Sequence, residues 1–348
     1  MATGFPVKAN YATGDVLTAA NMNDLSGTLN YLQSTANGLL AGKNMAINGG
    51  FDILQRGTST AASGYLADRW RCTILGGGTS TYSQESTIVP AGSLYSMKIA
   101  QTVASGLPAL DQAIETLNAI QFAGKTVVMS LQAAATSSQT ITMELAYSTT
   151  ANESVTGATW TGISPTSGGS VTPTSTTFVT GTGVYAVPST AKSLRIRLYA
   201  ASIASGNAVY ISQVQLELGS TASTFSRAGG TIQGELAACQ RYYYRITSTG
   251  GDAYTHFLTG FTTTTTNFRT VVLLPVPMRI APSSVDYGGS FLVSDSTTNL
   301  TGGAITLQGA GQLSTGLNVA VTGATQFKSY NVFSNNSNST YIGLNAEL

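Results

Sequence analysis

Charge is what this sequence has least of. Asp, Glu, Lys and Arg make up only 9% of its 348 residues, and the formal net charge is +1; ordinary soluble domains carry roughly a quarter charged residues. Solubility must rest on Ser, Thr, Asn and Gly, which suits a chain held in a large assembly or facing the outside better than a free cytosolic enzyme. No basic run occurs, so nucleic-acid binding has no electrostatic footing. There is one histidine, His256, and there are two cysteines, Cys72 and Cys239. They are too few and too scattered for a zinc cluster or a disulfide framework. A nucleophile elbow, a P-loop and a dinucleotide-binding glycine motif after a strand are all missing. Asp111 and Glu115 are a carboxylate pair four residues apart on a possible helix, and such pairs arise by chance. The expectation is a non-enzymatic chain without metal or cofactor. No apolar run approaches the ~20 residues needed to span a bilayer, so no membrane insertion is expected. Met1 to Val16 lacks the pattern of a secretory signal; an exterior role then needs another route out of the cytoplasm, such as lysis.

What is present begins with a heptad. Met22, Leu25, Leu29, Leu32, Ala36 and Leu39 recur in alternating steps of three and four, the seam of a coiled coil. Thr18 suits the N-cap, with Leu17 and Met22 placed as a hydrophobic staple, and Gly42 suits the C-terminal end. The remaining surface is uncharged apart from Asp24, so this short coiled-coil helix should not persist alone. It aligns copies of the chain, while the β domains supply most of the assembly energy. Leu at both core positions leaves the oligomer number open.

The predicted organisation is mainly β. Residues 1–17 read as an anchoring arm, 18–42 as the coiled-coil helix and 43–230 as a jelly-roll β-sandwich. Residues 231–244 read as a linker of helix and strand, and 245–348 as a C-terminal β-rich tip domain. Ile141, Met143, Leu145 and Tyr147 alternate along one face, as do Leu194, Ile196 and Leu198. Tyr210, Val214, Leu216 and Leu218 are assigned together to one face of Val209–Leu218. Leu107–Phe122 is expected to hold a short helix, and Val271–Val276 reads as a strand buried on both sides.

Two segments carry more than composition. The first runs Asn-Gly-x-Phe-x-Ile-x-Gln-Arg-Gly over 48–57, then Asp-Arg-Trp over 68–70. The second runs Gln-Leu-Glu-x-Gly over 215–219, then Phe225, Arg227 and Cys-Gln-Arg-Tyr-Tyr over 239–243. Together they resemble phage tail-fibre and receptor-binding proteins, in which the first opens a carbohydrate-binding-module-like sandwich and the second closes it and leads to a distal tip. The start of the helix segment, 11–25, and Pro277 to Pro282 resemble parts of such fibres too. The resemblance implies a homotrimer on the virion, anchored by its N-terminus to a tail or capsid protein, with the tip meeting a host-surface glycan or protein.

Asp68, Arg69 and Trp70 admit two readings. Buried polar groups must be paired, so Asp–Arg pairs and Gln side chains should pin the strands, with Trp70 filling the core. Alternatively Trp70 or Tyr65 stacks on a sugar ring and Asp68 and Arg69 bind its hydroxyls. In the tip, Tyr287, Tyr330 and Asn331 are the candidate receptor contacts on exposed loops, in a Tyr-, Ser- and Asn-rich composition suited to adaptable recognition. Three functions follow: a receptor-binding virion fibre, a purely structural capsid-decorating or tail-surface fibre, and, least favoured, a polysaccharide depolymerase.

Overall fold

A computed structural model describes residues 42–103, 106–201, 203–248 and 253–348, together with Asn23. The anchoring arm and the seam residues Met22, Leu25, Leu29, Leu32, Ala36 and Leu39 lie outside the described residues. Gly42 has φ +79°, in the left-handed region that glycine adopts without steric cost.

The described chain is mainly β, and its strand pairs are all antiparallel. The first part is a two-sheet sandwich. One sheet orders its principal strands as Thr79–Glu85, Ser96–Val103, Ala208–Leu218, Thr126–Ala135 and Val179–Ala186. The other orders Ile141–Ser148, Ser193–Ala200, Leu107–Ile114 and Arg71–Leu75. From residue 107 to 218 the chain crosses repeatedly between the sheets, so their inner faces close over one core. Ile141, Met143, Leu145, Leu194, Ile196 and Leu198 all enter that core, as their alternation predicts.

Two local expectations are corrected and one is narrowed. In Ala208–Leu218 the core side chains are Val209, Ile211, Val214 and Leu216, while Tyr210 packs on the opposite face and Leu218 is exposed. A bulge resets the alternation: Ser212 pairs Gln132 and Gln215 pairs Ser130, with Gln213 at φ +53°. Three residues thus span what two span on the partner, which moves every later side chain to the other face. Secondly, the short helix expected within Leu107–Phe122 is present, as Thr116–Ala119 followed by a 3₁₀ turn over Ile120–Phe122, but Leu107–Ile114 before it is strand. Asp111 is therefore not helical; its carboxylate pairs Arg197 Nε at 2.6 Å, and Glu115 pairs Arg241 at 3.0 Å. Thirdly, Val271 and Leu273 are exposed while Val272 and Leu274 are buried. The strand Asn267–Leu273 has one solvent face, and its apolar run conceals ordinary period-two alternation.

The two motif segments meet at the bulge. Asn44 Nδ2 donates to the Val214 and Ser226 carbonyls at 2.9 and 3.0 Å, and its Oδ1 accepts from Leu216 N at 3.0 Å. Gly49 has to be glycine: a Cβ there would sit 2.0 Å from the Val214 carbonyl oxygen. Asn48, at φ +58°, ties the Ile53 and Asp68 carbonyls with one amide, at 2.8 and 3.0 Å. Arg227 closes the arrangement with a two-pronged pair to Asp52, at 2.8 and 3.2 Å.

The helix Ile232–Gln240 follows, capped by Thr231, whose side chain accepts from Gly234 N. The C-terminal part then pairs Tyr243–Thr247 with the last strand, Tyr341–Asn345, which also pairs Ser284–Gly288. This three-stranded sheet shares an apolar core with a seven-stranded sheet. The seven-stranded sheet is centred on Ser329–Ser334, His256–Thr264, Asn267–Leu273 and Ser314–Ala320. Ile342, Leu344 and Ala346 enter that core.

Candidate functional site

The Asp68–Trp70 cluster is structural. Trp70 is completely buried against Phe51, ring centroids 5.4 Å apart, and its Nε1 donates to the Asn48 carbonyl at 3.0 Å. No face of the indole is open to a sugar. Arg69 is buried too, paired with Glu347, donating to the Ala113 carbonyl at 2.6 Å, and stacked 3.6 Å from the Tyr242 ring centroid. Asp68 accepts from Gln55 Nε2 at 2.6 Å and Arg56 Nη1 at 3.1 Å. Burial pushes its carboxyl up to about 7, against the pull of Arg56 and the Gln55 hydrogen bond. Tyr65 donates to the Leu348 carbonyl at 3.0 Å. These residues weld the sandwich to the end of the chain.

The tip candidates separate. Tyr287 is exposed, on the strand Ser284–Gly288 and edge-on to Phe291 at 6.3 Å. Tyr330 is a correction: it lies mid-strand, 2% exposed, and its hydroxyl accepts from Thr325 N at 3.1 Å. In Ser329–Ser334 alternate residues face the core, and 330 has the core parity. Asn331 has the opposite parity, is half-buried, and its Oδ1 accepts from Thr259 Oγ1 at 2.8 Å. It belongs to a strand rather than to a loop.

Asn331 leads to the surface that the sequence did not single out. Its side belongs to the solvent face of the seven-stranded sheet. On the strand Asn267–Leu273 that face carries Arg269, Val271 and Leu273; on His256–Thr264 it carries Thr259 and Phe261. Phe261 stands directly opposite Arg269 in register. Phe261 is 48% and Val271 63% exposed, large values for apolar side chains in mid-sheet. Together with Gly316 and Gln308 they line a depression of about 480 Å³, within the size range of small-ligand sites.

Its floor includes Gly316, which pairs across the sheet with a second glycine. Gly316 is in register with Val271 on one side and Gly309 on the other. Neither glycine is demanded by packing: a Cβ at Gly309 would meet nothing within 4 Å, and at Gly316 the nearest atom is 3.4 Å away. The floor is open where a side chain would fit. An aromatic wall, a guanidinium opposite it and flanking amides are the elements that grip a polar ring with an apolar face. The pairing could not be read from sequence by counting back from the turn, since a bulge between Thr262 and Thr264 puts Phe261 three residues before the closing pair Thr264–Asn267 and Arg269 two after it.

A second depression of about 310 Å³ lies on the outer face of the sandwich, lined by Gln132, Thr180, Gln213 and Phe225 among others. Two of its amides are already engaged: Gln132 Nε2 donates to Thr180 Oγ1 at 2.8 Å and Gln213 Nε2 to the Ala91 carbonyl at 2.9 Å. Both cysteines are buried and free, and burial pushes the Cys239 thiol up, away from reactivity. Among the described residues no three His, Cys, Asp or Glu side chains gather as a metal site. Among them, too, no helix is long and apolar enough to cross a membrane.

No protein-family model and no curated protein matches the chain. Solved structures overlap it in part. The enzymatically active domain of tailspike protein 4 of bacteriophage CBA120 matches at 16% identity and TM-score 0.35, covering 51% of this chain and 21% of that one. TmCBM61, solved with β-1,4-galactotriose, matches at 11% identity and TM-score 0.33, covering 51% and 99%. The C-terminal family 22 carbohydrate-binding module of Clostridium thermocellum Xyn10B matches at 19% identity and TM-score 0.32, covering 47% and 99%. The chain thus spans about a fifth of the tailspike, and such distant overlaps assign no ligand to it.

Proposed function

We propose that this chain is a non-enzymatic attachment protein of a phage virion. Its N-terminal arm holds it to the particle and its heptad seam aligns three copies. The open face of its seven-stranded sheet binds a glycan of the host surface. The observation that carries the binding role is the Phe261–Arg269 depression over Gly316, where backbone and packing leave room for a side chain that the sequence does not supply. The virion role and the trimer rest on the motif resemblance and the heptad. Weak single-site contacts, repeated on several copies, give useful avidity.

Two measurements test this. Light scattering of the full chain should give a mass three times 35.8 kDa; a monomer contradicts the assembly. Applied to an array of bacterial surface polysaccharides at micromolar concentration, the chain should bind at least one without releasing reducing sugar. Absence of any binding would leave a purely structural fibre, and release of sugar would indicate a depolymerase.

A further inference from the structure

The charge pattern around the depression says what kind of glycan fits it. Among the described residues from 253 onward, the carboxylates are Asp286, Asp295 and Glu347, and each is engaged. Asp286 accepts from the Tyr243 hydroxyl at 2.9 Å, Asp295 pairs Lys328, and Glu347 pairs Arg56 and Arg69. The cations are matched in the same way, with one exception. Lys328 is held by Asp295, and Arg279 donates to the Ala346 and Glu347 carbonyls, both at 3.0 Å.

Arg269 is the exception. It is exposed, and no hydrogen bond or ion pair joins its guanidinium to any described residue. Its cross-strand neighbours are Phe261 on one side and Asn318 on the other, neither of them an anion. None of the seven strands contributes a carboxylate to this face. In a chain with so few charges, a lone guanidinium beside an exposed aromatic ring and an open glycine floor is complementary to a single negative group on a ring-shaped ligand. A guanidinium presents paired N–H donors in a plane and grips a carboxylate through two parallel bonds.

Building on the glycan-binding role assigned to this face, we infer that its ligand is an acidic glycan, with Arg269 holding a sugar carboxylate while Phe261 stacks on the ring. Thr259 and Gln308 line the same depression and offer a hydroxyl and an amide to the ring's hydroxyls. The carboxylate can come from a uronic acid or from a sialic-type acid, since both present it on the ring.

The test uses the full chain with polygalacturonate and polysialate, each alongside its carboxyl-reduced form, and with polyglutamate as an acidic polymer without sugar. At least one acidic polysaccharide should bind about tenfold more tightly than its reduced form, the usual scale for one charge-assisted contact. Arg269→Gln should abolish that difference, bringing the acidic form down to the affinity of its reduced form. Phe261→Ala should weaken both. Equal binding of acidic and reduced forms, an unaltered preference in Arg269→Gln, or polyglutamate binding as tightly as the polysaccharides overturns the inference. If arrayed neutral polysaccharides bind through Phe261 and acidic ones gain nothing, the glycan site stands and the inference falls. If no polysaccharide binds at all, both fall.

Discussion

Arg56 Nη2 lies 3.2 Å from Glu347 Oε1, joining residues 291 positions apart. Glu347 also pairs Arg69, while Arg56 pairs Asp68 and lies 3.6 Å from the Tyr243 ring centroid. Glu347 thus pairs with two arginines of the 48–70 motif segment at once. The Gln-Arg and Asp-Arg-Trp elements serve the junction with the C-terminal part rather than a ligand.

Glu347→Gln should therefore act on stability rather than binding. Arg69 is 1% exposed, and removing its carboxylate leaves a buried charge uncompensated, at a cost of about 3 kcal/mol. Calorimetry at neutral pH should show a clear fall in melting temperature. An unchanged melting temperature would mean that the junction is held by its apolar contacts alone.

Asp68 gives the junction a pH dependence. Burial pushes its folded carboxyl up to about 7 from the ordinary aspartate value of 3.8, so between these values the folded state holds a proton that the unfolded state has lost. This contribution to stability is fully present below about pH 4 and is lost as pH rises through 7, amounting to at most about 4 kcal/mol. Relative to Asp68→Asn, which does not titrate, the native chain should lose stability between pH 4 and 8. Melting curves of the two that run parallel across that range would contradict the assignment.

Gly316→Val separates the depression from the fold. The backbone tolerates a side chain there, and a β-branched residue favours strand, so stability should hold or rise by up to about 1 kcal/mol. Glycan binding should fall because the floor is filled. A variant that is as stable and binds as well would place the ligand elsewhere.

How much of this could be read from the sequence differs by element. The sandwich strands were legible where alternation is unbroken, as in Ile141 to Leu145 and Leu194 to Leu198. It failed at Tyr210, because a bulge at Gln213 changes the phase and no residue type announces it. The motif residues were legible as paired structural groups, since Asp68 and Arg69 are rare charges amid apolar strands and must find partners. The tip was legible only in composition. Tyr330 and Asn331 are neighbours of opposite parity, one in the core and one on the open face, and parity needs a known strand register. Phe261 and Arg269 meet only through the hairpin, and the value of Gly316 lies in what surrounds it. The seam residues Met22 to Leu39 fall outside the described part, and their role rests on the heptad.

The most direct test of the binding face compares Phe261→Ala with Tyr287→Ala on the polysaccharide array. Phe261 is half exposed, so its truncation should shift the melting temperature by no more than about 2 °C. The prediction is that Phe261→Ala loses at least about tenfold in affinity for the bound polysaccharide, on the scale of one aromatic contact, while Tyr287→Ala binds as the native chain does. Undiminished binding by Phe261→Ala, with loss in Tyr287→Ala, would contradict the account.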